Sequence, residues 1–203
     1  MVTVYLQLLG VAAFLVATLV LGAKIRRSPT KESAQALSRV SHGFFWGGMV
    51  APEILGVVYP GLWNFDGLFG LPSLPGHSFR LVVGAVLTLA GNFLASGSLL
   101  ALKKIGSGLM AFKLTQRVVA GALYDRVRNP MSLGWYLSFI GGSLFVGSSY
   151  WLLFTLFLYI PVHAFNLIYF EELELSARHG PSYDTYRQRV PFLIPSLRPI
   201  AAE

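Results

Sequence analysis

The chain has no cysteine, which excludes a disulfide framework, a thiolate nucleophile and any cysteine-ligated zinc or iron–sulfur centre. Charge is scarce as well: only 12% of its 203 residues are charged, against 54% hydrophobic, and the mean hydropathy is positive, unlike a soluble domain. That balance identifies an integral membrane protein. The length allows one bundle of about four to six short-looped helices, with no room for a separate soluble catalytic domain, so any chemistry takes place at or in the membrane. The net charge is +7, but the basic residues lie between apolar runs rather than on one soluble face. They orient the protein in a bilayer and do not read as a nucleic-acid surface.

No basic residue precedes the first apolar run, Val4 to Ala23; Lys24, Arg26 and Arg27 follow it instead. This is not the order of a signal peptide, so the run is expected to be a retained span with its N-terminus outside. Its ~20 residues at 1.5 Å each match a hydrocarbon core about 30 Å thick. Ser28 to Ser41 is polar and basic, opens with Pro29, and reads as a cytoplasmic loop. His42 to Leu62 is the second span, interrupted by Pro52 and Pro60. Gly61 to Ser78 reads as a loop without Lys or Arg, with Trp63, Phe65 and Phe69 suited to headgroup level. Phe79 to Leu100 is the third span; its small residues Gly84, Ala85, Gly91, Ala95 and Gly97 predict a helix packed inside the bundle. Ala101 to Asn129 is the most basic loop.

Met131 to Val146 and Trp151 to Phe170 are the fourth and fifth spans, joined by the turn Gly147 to Tyr150 into an antiparallel hairpin. Glu171 to Glu203 is charged and aromatic, with Gly180 and Pro181 placed as a helix stop and restart. Every Lys and Arg except Arg80 falls on the side of the two basic loops and the C-terminus, which the positive-inside bias assigns to the cytoplasm. The expectation is an all-α polytopic bundle of about five transmembrane helices. It forms a single domain over residues 1–203, with three spans in 1–100 and a hairpin half in 101–203. The absence of an internal repeat argues against an inverted-repeat transporter.

Polar residues that a membrane helix normally avoids concentrate at both ends of the hairpin. Pro130 suits a first helical turn and holds Asn129 extended, so Arg128 and Asn129 sit beside a helix N-terminus. Free N–H groups, the positive dipole end and a guanidinium make a place for a carboxylate. The plainer reading is a snorkelling Arg and a helix-starting Pro. Glu171 and Glu172 follow an apolar span, where adjacent carboxylates repel and acids are ill-placed at a helix C-terminus. Helix neighbours project about 100° apart, so divided roles are expected: one meets a ligand, the other pairs with Arg or a backbone N–H. Three more residues carry open alternatives. Glu53 reads as a base on the lipid side or as a neutral acid pairing helices, and His163 and Asn166 as substrate contacts or as hydrogen bonds between helices. No metal-ligand spacing joins the four histidines.

The ordered set Tyr124, Arg128-Asn129-Pro130-Met131, Gly134, Glu171-Glu172, Leu175, Gly180, Tyr183, Tyr186, Val190-Pro191 and Ile194-Pro195 resembles the isoprenylcysteine carboxyl methyltransferase and phosphatidylethanolamine N-methyltransferase superfamily over the C-terminal half. The resemblance implies an enzyme of the bacterial inner membrane with a cytoplasmic pocket for S-adenosylmethionine. Tyr124, Asn129, Pro130, Met131, Gly134, Glu171 and Glu172 would line that pocket, Tyr183, Tyr186 and Pro191 would close it, and Arg128, Asn129 and Glu172 would act in catalysis. The cofactor's ammonium suits Glu171 or Glu172, its carboxylate suits Arg128 with the helix N-terminus, and its adenine suits Tyr183 or Tyr186.

Departures from the family pattern are Ser132 where Tyr is common, Phe192 where a basic residue is common, and an interval from Gly121 to Tyr124 that looks one residue long. Gly106-Ser107-Gly108 matches a cofactor contact of the phospholipid branch or is simply a loop. The implied partner is an amphiphilic methyl acceptor in the bilayer, first an isoprenylcysteine-type carboxylate, with a phospholipid amine or a small thiol as alternatives. A lipid- or partner-binding protein without activity and a reductase using a nicotinamide cofactor are the competing classes.

Overall fold

A computed structural model describes residues 1–61, 64–104 and 122–196, and all regular structure among them is helical. Trp63, Gly121 and the Gly106-Ser107-Gly108 motif lie outside the described residues. Helix α1 spans Val2–Arg27, a length of ~39 Å at 1.5 Å per residue. The stretch Ser28 to Ser41 is not a loop, because α2 runs over Lys31–Phe44 with Thr30 as N-cap, its hydroxyl accepting from the Ser33 N–H. Ala34, Ser38 and Ser41 form its buried stripe. Small and hydroxyl residues lie flat against α1 and need no large apolar side chain, so the stripe left no hydrophobic period to read.

Helix α2 continues without a break through a π-helical segment, Phe45–Val50, into α3, Ala51–Val58. Within that segment Gly48 meets Gly10 of α1 in backbone contact. The loop read over Gly61 to Ser78 contains a short helix α4, Phe65–Phe69. Helix α5 spans His77–Lys104 and α6 spans Pro130–Val146, with a 3-10 turn at Ala122–Asp125 between them. A continuous rod, Ser149–His179, follows. It comprises α7 (Ser149–Phe154), a π segment (Thr155–Tyr159), α8 (Ile160–Asn166), a second π segment (Leu167–Glu171) and α9 (Glu172–His179). At Gly180 the chain takes φ 61°, which suits only a residue without Cβ, and α10 restarts at Pro181–Arg189 as expected.

Three helices among the described residues are long and apolar enough to cross a membrane: Val2–Arg27, His77–Lys103 and Ser149–His179. Helix α6, at 17 residues or ~25 Å, lies along α5. Their contact is a seam of backbone on backbone. A Cβ at Gly134 would stand 2.6 Å from the Gly91 carbonyl oxygen, and one at Gly141 would stand 2.5 Å from the Thr88 amide nitrogen. The small residues of the third span therefore do not place it inside the bundle. They serve one face only, while Phe79, Leu89 and Phe93 on the others are more than 70% exposed.

The connections opposite the Arg128 turn are tied down by polar contacts. Asp66 accepts from the Ser148 hydroxyl and from the backbone N–H groups of Ser149 and Tyr150 at 2.7–3.0 Å, capping the rod's first turn. Arg80 donates to the carbonyls of Leu144 and Phe145 at 3.2 Å. The one basic residue that breaks the charge bias thus neutralises the C-terminal dipole of α6.

Candidate active site

Pro130 is fully buried and opens α6, and the residues before it are strapped by the chain's last described segment. The Arg128 N–H donates to the Pro191 carbonyl at 2.9 Å, the Asn129 side-chain amide to the Phe192 carbonyl at 3.3 Å, and the Ser196 N–H to the Arg126 carbonyl at 2.8 Å. From α10 the Tyr186 hydroxyl donates to the Tyr124 carbonyl at 2.9 Å. The guanidinium of Arg128 ion-pairs with Glu172 at 2.5 Å, and Arg187 approaches the other carboxylate oxygen at 3.6 Å. Phe192, standing where the family often has a cation, lies 5.6 Å beneath the Arg128 guanidinium, where a second positive charge would repel it.

Glu171, one residue earlier, points elsewhere. Among the described residues its carboxylate makes no hydrogen bond or ion pair. It lies within electrostatic range of Tyr124, Tyr136, Tyr183, His42 and Arg178. Burial, reinforced by the two glutamates, pushes the Tyr183 phenol above its ordinary value, with Arg128 opposing. Burial likewise raises Tyr186 and Tyr124. All three phenols therefore stay protonated at neutral pH and can act as hydrogen-bond donors or as neutral stacking faces.

The structure brings Tyr124, Arg128, Asn129, Pro130, Glu171, Glu172, Tyr183, Tyr186 and Pro191 to one end of the hairpin. Met131 is partly buried in the first turn of α6. Gly134 faces α5 in the seam. The glutamates do not terminate a helix, since the rod runs on to His179, so the dipole mismatch expected of them is absent. Glu53 lies apart, toward the other end: it accepts from Gln7 at 3.1 Å, and Gln7 accepts from the Tyr150 hydroxyl at 2.8 Å. That is the helix-pairing arrangement. Asn166 donates to Thr18 of α1 at 2.8 Å and to Ser41 of α2 at 3.4 Å, also between helices. His163 forms a buried 2.8 Å hydrogen bond with the Tyr136 hydroxyl.

Two residues escaped the sequence reading. Glu174, three positions after Glu171, is buried, pairs with Arg178 at 2.5 Å and hydrogen-bonds Ser38 of α2. His42 donates from Nδ1 to the Ser38 carbonyl of its own helix at 2.7 Å and faces both Glu171 and His163. The helical period of the two acids was a signal for Glu174; for His42, hidden in a stretch read as the start of a span, there was none.

Comparison with known proteins places this geometry. A family model described as phospholipid methyltransferase matches residues 79–181, half of the chain, including the turn, the hairpin and the glutamate pair. The chain is 31% identical over 136 residues to a methanethiol S-methyltransferase of Crocosphaera subtropica, a match covering 66% of this chain and 51% of that protein. It thus spans about half the length of the curated relative it matches. No solved structure matches. With the family model laid over the residues that form the strapped turn and the Glu171–Glu172 segment, the chain belongs to the phospholipid methyltransferase family, within the superfamily that its motifs resemble.

Proposed function

We propose that this protein is a membrane methyltransferase that uses S-adenosylmethionine, held at the cytoplasmic end of the hairpin, and methylates a neutral acceptor reached through the bilayer. The observation that carries the reading is the division of the glutamate pair. Glu172 is neutralised by Arg128 and Arg187, whereas Glu171 beside it has no partner among the described residues. An open carboxylate in a partly buried setting suits an ammonium group. The first-turn N–H groups of α6, a 17-residue helix, suit a carboxylate. Tyr183 and Tyr186, with ring centroids 6.0 Å apart, offer faces for a purine. These residues fit the cofactor's charge pattern, which is the test the donor set can pass.

When bound, the cofactor supplies a methyl carbon already activated by a sulfonium. The chain's own contribution is then positioning and exclusion of water. The Arg128–Glu172 pair fixes the start of α6, Glu171 orients the ammonium, and the C-terminal strap from Val190 to Ser196 covers the site. Residues 101–203 form the cofactor half, and the spans within 1–100 wall the acceptor's route, so that five apolar segments act as one domain.

A carboxylate acceptor would need a cation, and Arg128 of the turn is already committed to Glu172. This favours a neutral nucleophile over an isoprenylcysteine-type carboxylate, and the relative's name adds the small thiol to the foreground. The test is equilibrium binding of S-adenosylmethionine to the purified full chain in lipid nanodiscs. Binding is expected, and Arg128→Ala should weaken it about tenfold, a loss of ~1.4 kcal/mol. No binding with or without lipid overturns the proposal.

A further inference from the structure

Below the Glu171–Glu172 pair, ~12 Å along the rod at 1.5 Å per residue, lies a buried cluster that the cofactor reading leaves without a role. His163 bonds the Tyr136 hydroxyl at 2.8 Å and stacks on Phe45 at 4.9 Å. Phe14 and Tyr159 complete its surroundings. Helix pairing alone would leave this cluster satisfied, and it is not. Tyr159 is 2% exposed, yet its hydroxyl has no hydrogen-bond partner among the described residues. A buried hydroxyl left unpaired costs about 1–3 kcal/mol, so a polar group of a bound molecule is the natural complement.

Two further features point to an occupant. Two of the three π-helical segments among the described residues border the cluster, since Phe45 opens one and Tyr159 closes another. Such segments appear frequently at functional sites. A file of rings also leads from the outer surface inward. Trp46, 39% exposed, packs edge-on to Trp135 at 6.2 Å, Trp135 meets Phe45 at 5.9 Å, and Phe45 covers His163. A molecule dissolved in the bilayer would meet this file of rings at the exposed edge of Trp46.

We infer that this cluster is the acceptor seat, that it takes a small neutral thiol, and that the Tyr136–His163 pair accepts the thiol's proton. The inference rests on the methyltransferase reading above. None of the partners of Tyr136 or His163 among the described residues is Lys or Arg. Among the described residues the seat therefore has no counter-ion for a carboxylate, while a thiol brings its own proton and needs a base. In the transfer, the thiol sulfur's lone pair forms the new bond to the methyl carbon. The bond from that carbon to the sulfonium sulfur breaks, its electron pair staying on the departing sulfur. The S–H bond breaks, and its proton goes to His163, directly or by Tyr136 giving its own proton to Nδ1 and taking the thiol's. The positive charge lost at the sulfonium reappears on the imidazolium and leaves as a proton after turnover. The titratable groups facing the pair are Tyr159 on its own rod, with Glu53 beyond it, His42 at the end of α2, and Glu171.

The experiment compares wild type with His163→Gln in nanodiscs, using 1-butanethiol and the more acidic 2,2,2-trifluoroethanethiol, with S-adenosylmethionine binding measured separately. Loss of a general base costs at least about 100-fold at neutral pH. His163→Gln should show that loss with butanethiol, gain about tenfold per pH unit up to the thiol's own pKa, and recover most of the rate with the acidic thiol. Its cofactor binding should equal that of wild type. A second readout needs no cofactor: butanethiol should change the tryptophan fluorescence of wild type, and Tyr159→Phe should weaken that binding. Equal losses with both thiols overturn the inference, as does a wild type that binds cofactor but methylates amines or carboxylates and no thiol. A wild type that binds no cofactor overturns the methyltransferase reading itself, and this inference with it.

Discussion

Glu171 and Glu172 are neighbours with opposite energetic situations, and substitution should separate them. Glu172→Gln removes the partner of a guanidinium whose side chain is 13% exposed. Stranding a mostly buried charge costs about 3 kcal/mol, so thermal unfolding of the detergent-purified protein should move down clearly. Glu171→Gln removes a carboxylate that has no direct partner among the described residues. Its stability should stay within ~0.5 kcal/mol of wild type, while titration with S-adenosylmethionine shows an affinity about tenfold lower. Equal destabilisation by both changes would show that the division of roles is wrong. The sequence made that division legible for one sound reason and one unsound one. The angular offset of adjacent helical residues holds in the structure. The supposed helix end after Phe170 does not, because the polar run Glu171 to His179 continues the helix and the change of composition hides it.

The α5–α6 pair shows how a pattern of elements can be seen and still be misjudged. Gly84 and Gly91 on one helix, and Gly134 and Gly141 on the other, recur at seven residues and so keep to a single face. That stripe was legible; that it serves one partner, leaving the rest of α5 exposed, depends on where α6 lies and is not written in α5. The seam has no room for a methyl group. Gly141→Ala places a Cβ 2.5 Å from the Thr88 nitrogen in backbone that cannot turn aside. It should cost about 2 kcal/mol through overpacking, read as lower thermal stability and looser α5–α6 contact by cross-linking. Gly47→Ala is the control, because a Cβ there meets nothing within 4 Å, and it should leave stability at or slightly above wild type. Helix α2 marks the other limit of legibility. Its packing stripe of Ala34, Ser38 and Ser41 is invisible to a hydrophobic period, although the Thr30 cap and Glu32 in its first turn were local signs of a helix start.

At the scale of the whole molecule, the two ends of α6 separate two chemistries. At its N-terminus the Arg128 turn is bound to the Pro191–Ser196 segment, with α10 and the Glu172 ion pair beside it. At its C-terminus the Gly147 carbonyl accepts from Leu74, and the Ser149 hydroxyl donates to Pro72. The basic residues gather at the first end, and Arg80, the exception, is absorbed by the carbonyls of α6. The orientation we propose from the positive-inside bias has Arg128, Glu171 and α10 in the cytoplasm, with Pro72 and Ser73 outside. Absence of cysteine makes this testable without removing any native thiol. Ser73 and Ser182 are both exposed, one at each end. In intact cells a membrane-impermeant maleimide should label the Ser73→Cys variant at once and the Ser182→Cys variant only after lysis. The reverse labelling would put the strapped turn outside the cell. If, as proposed, a soluble cofactor made in the cytoplasm meets Glu171 and the acceptor enters from lipid, only the first orientation lets both ligands reach the hairpin without either one crossing the membrane.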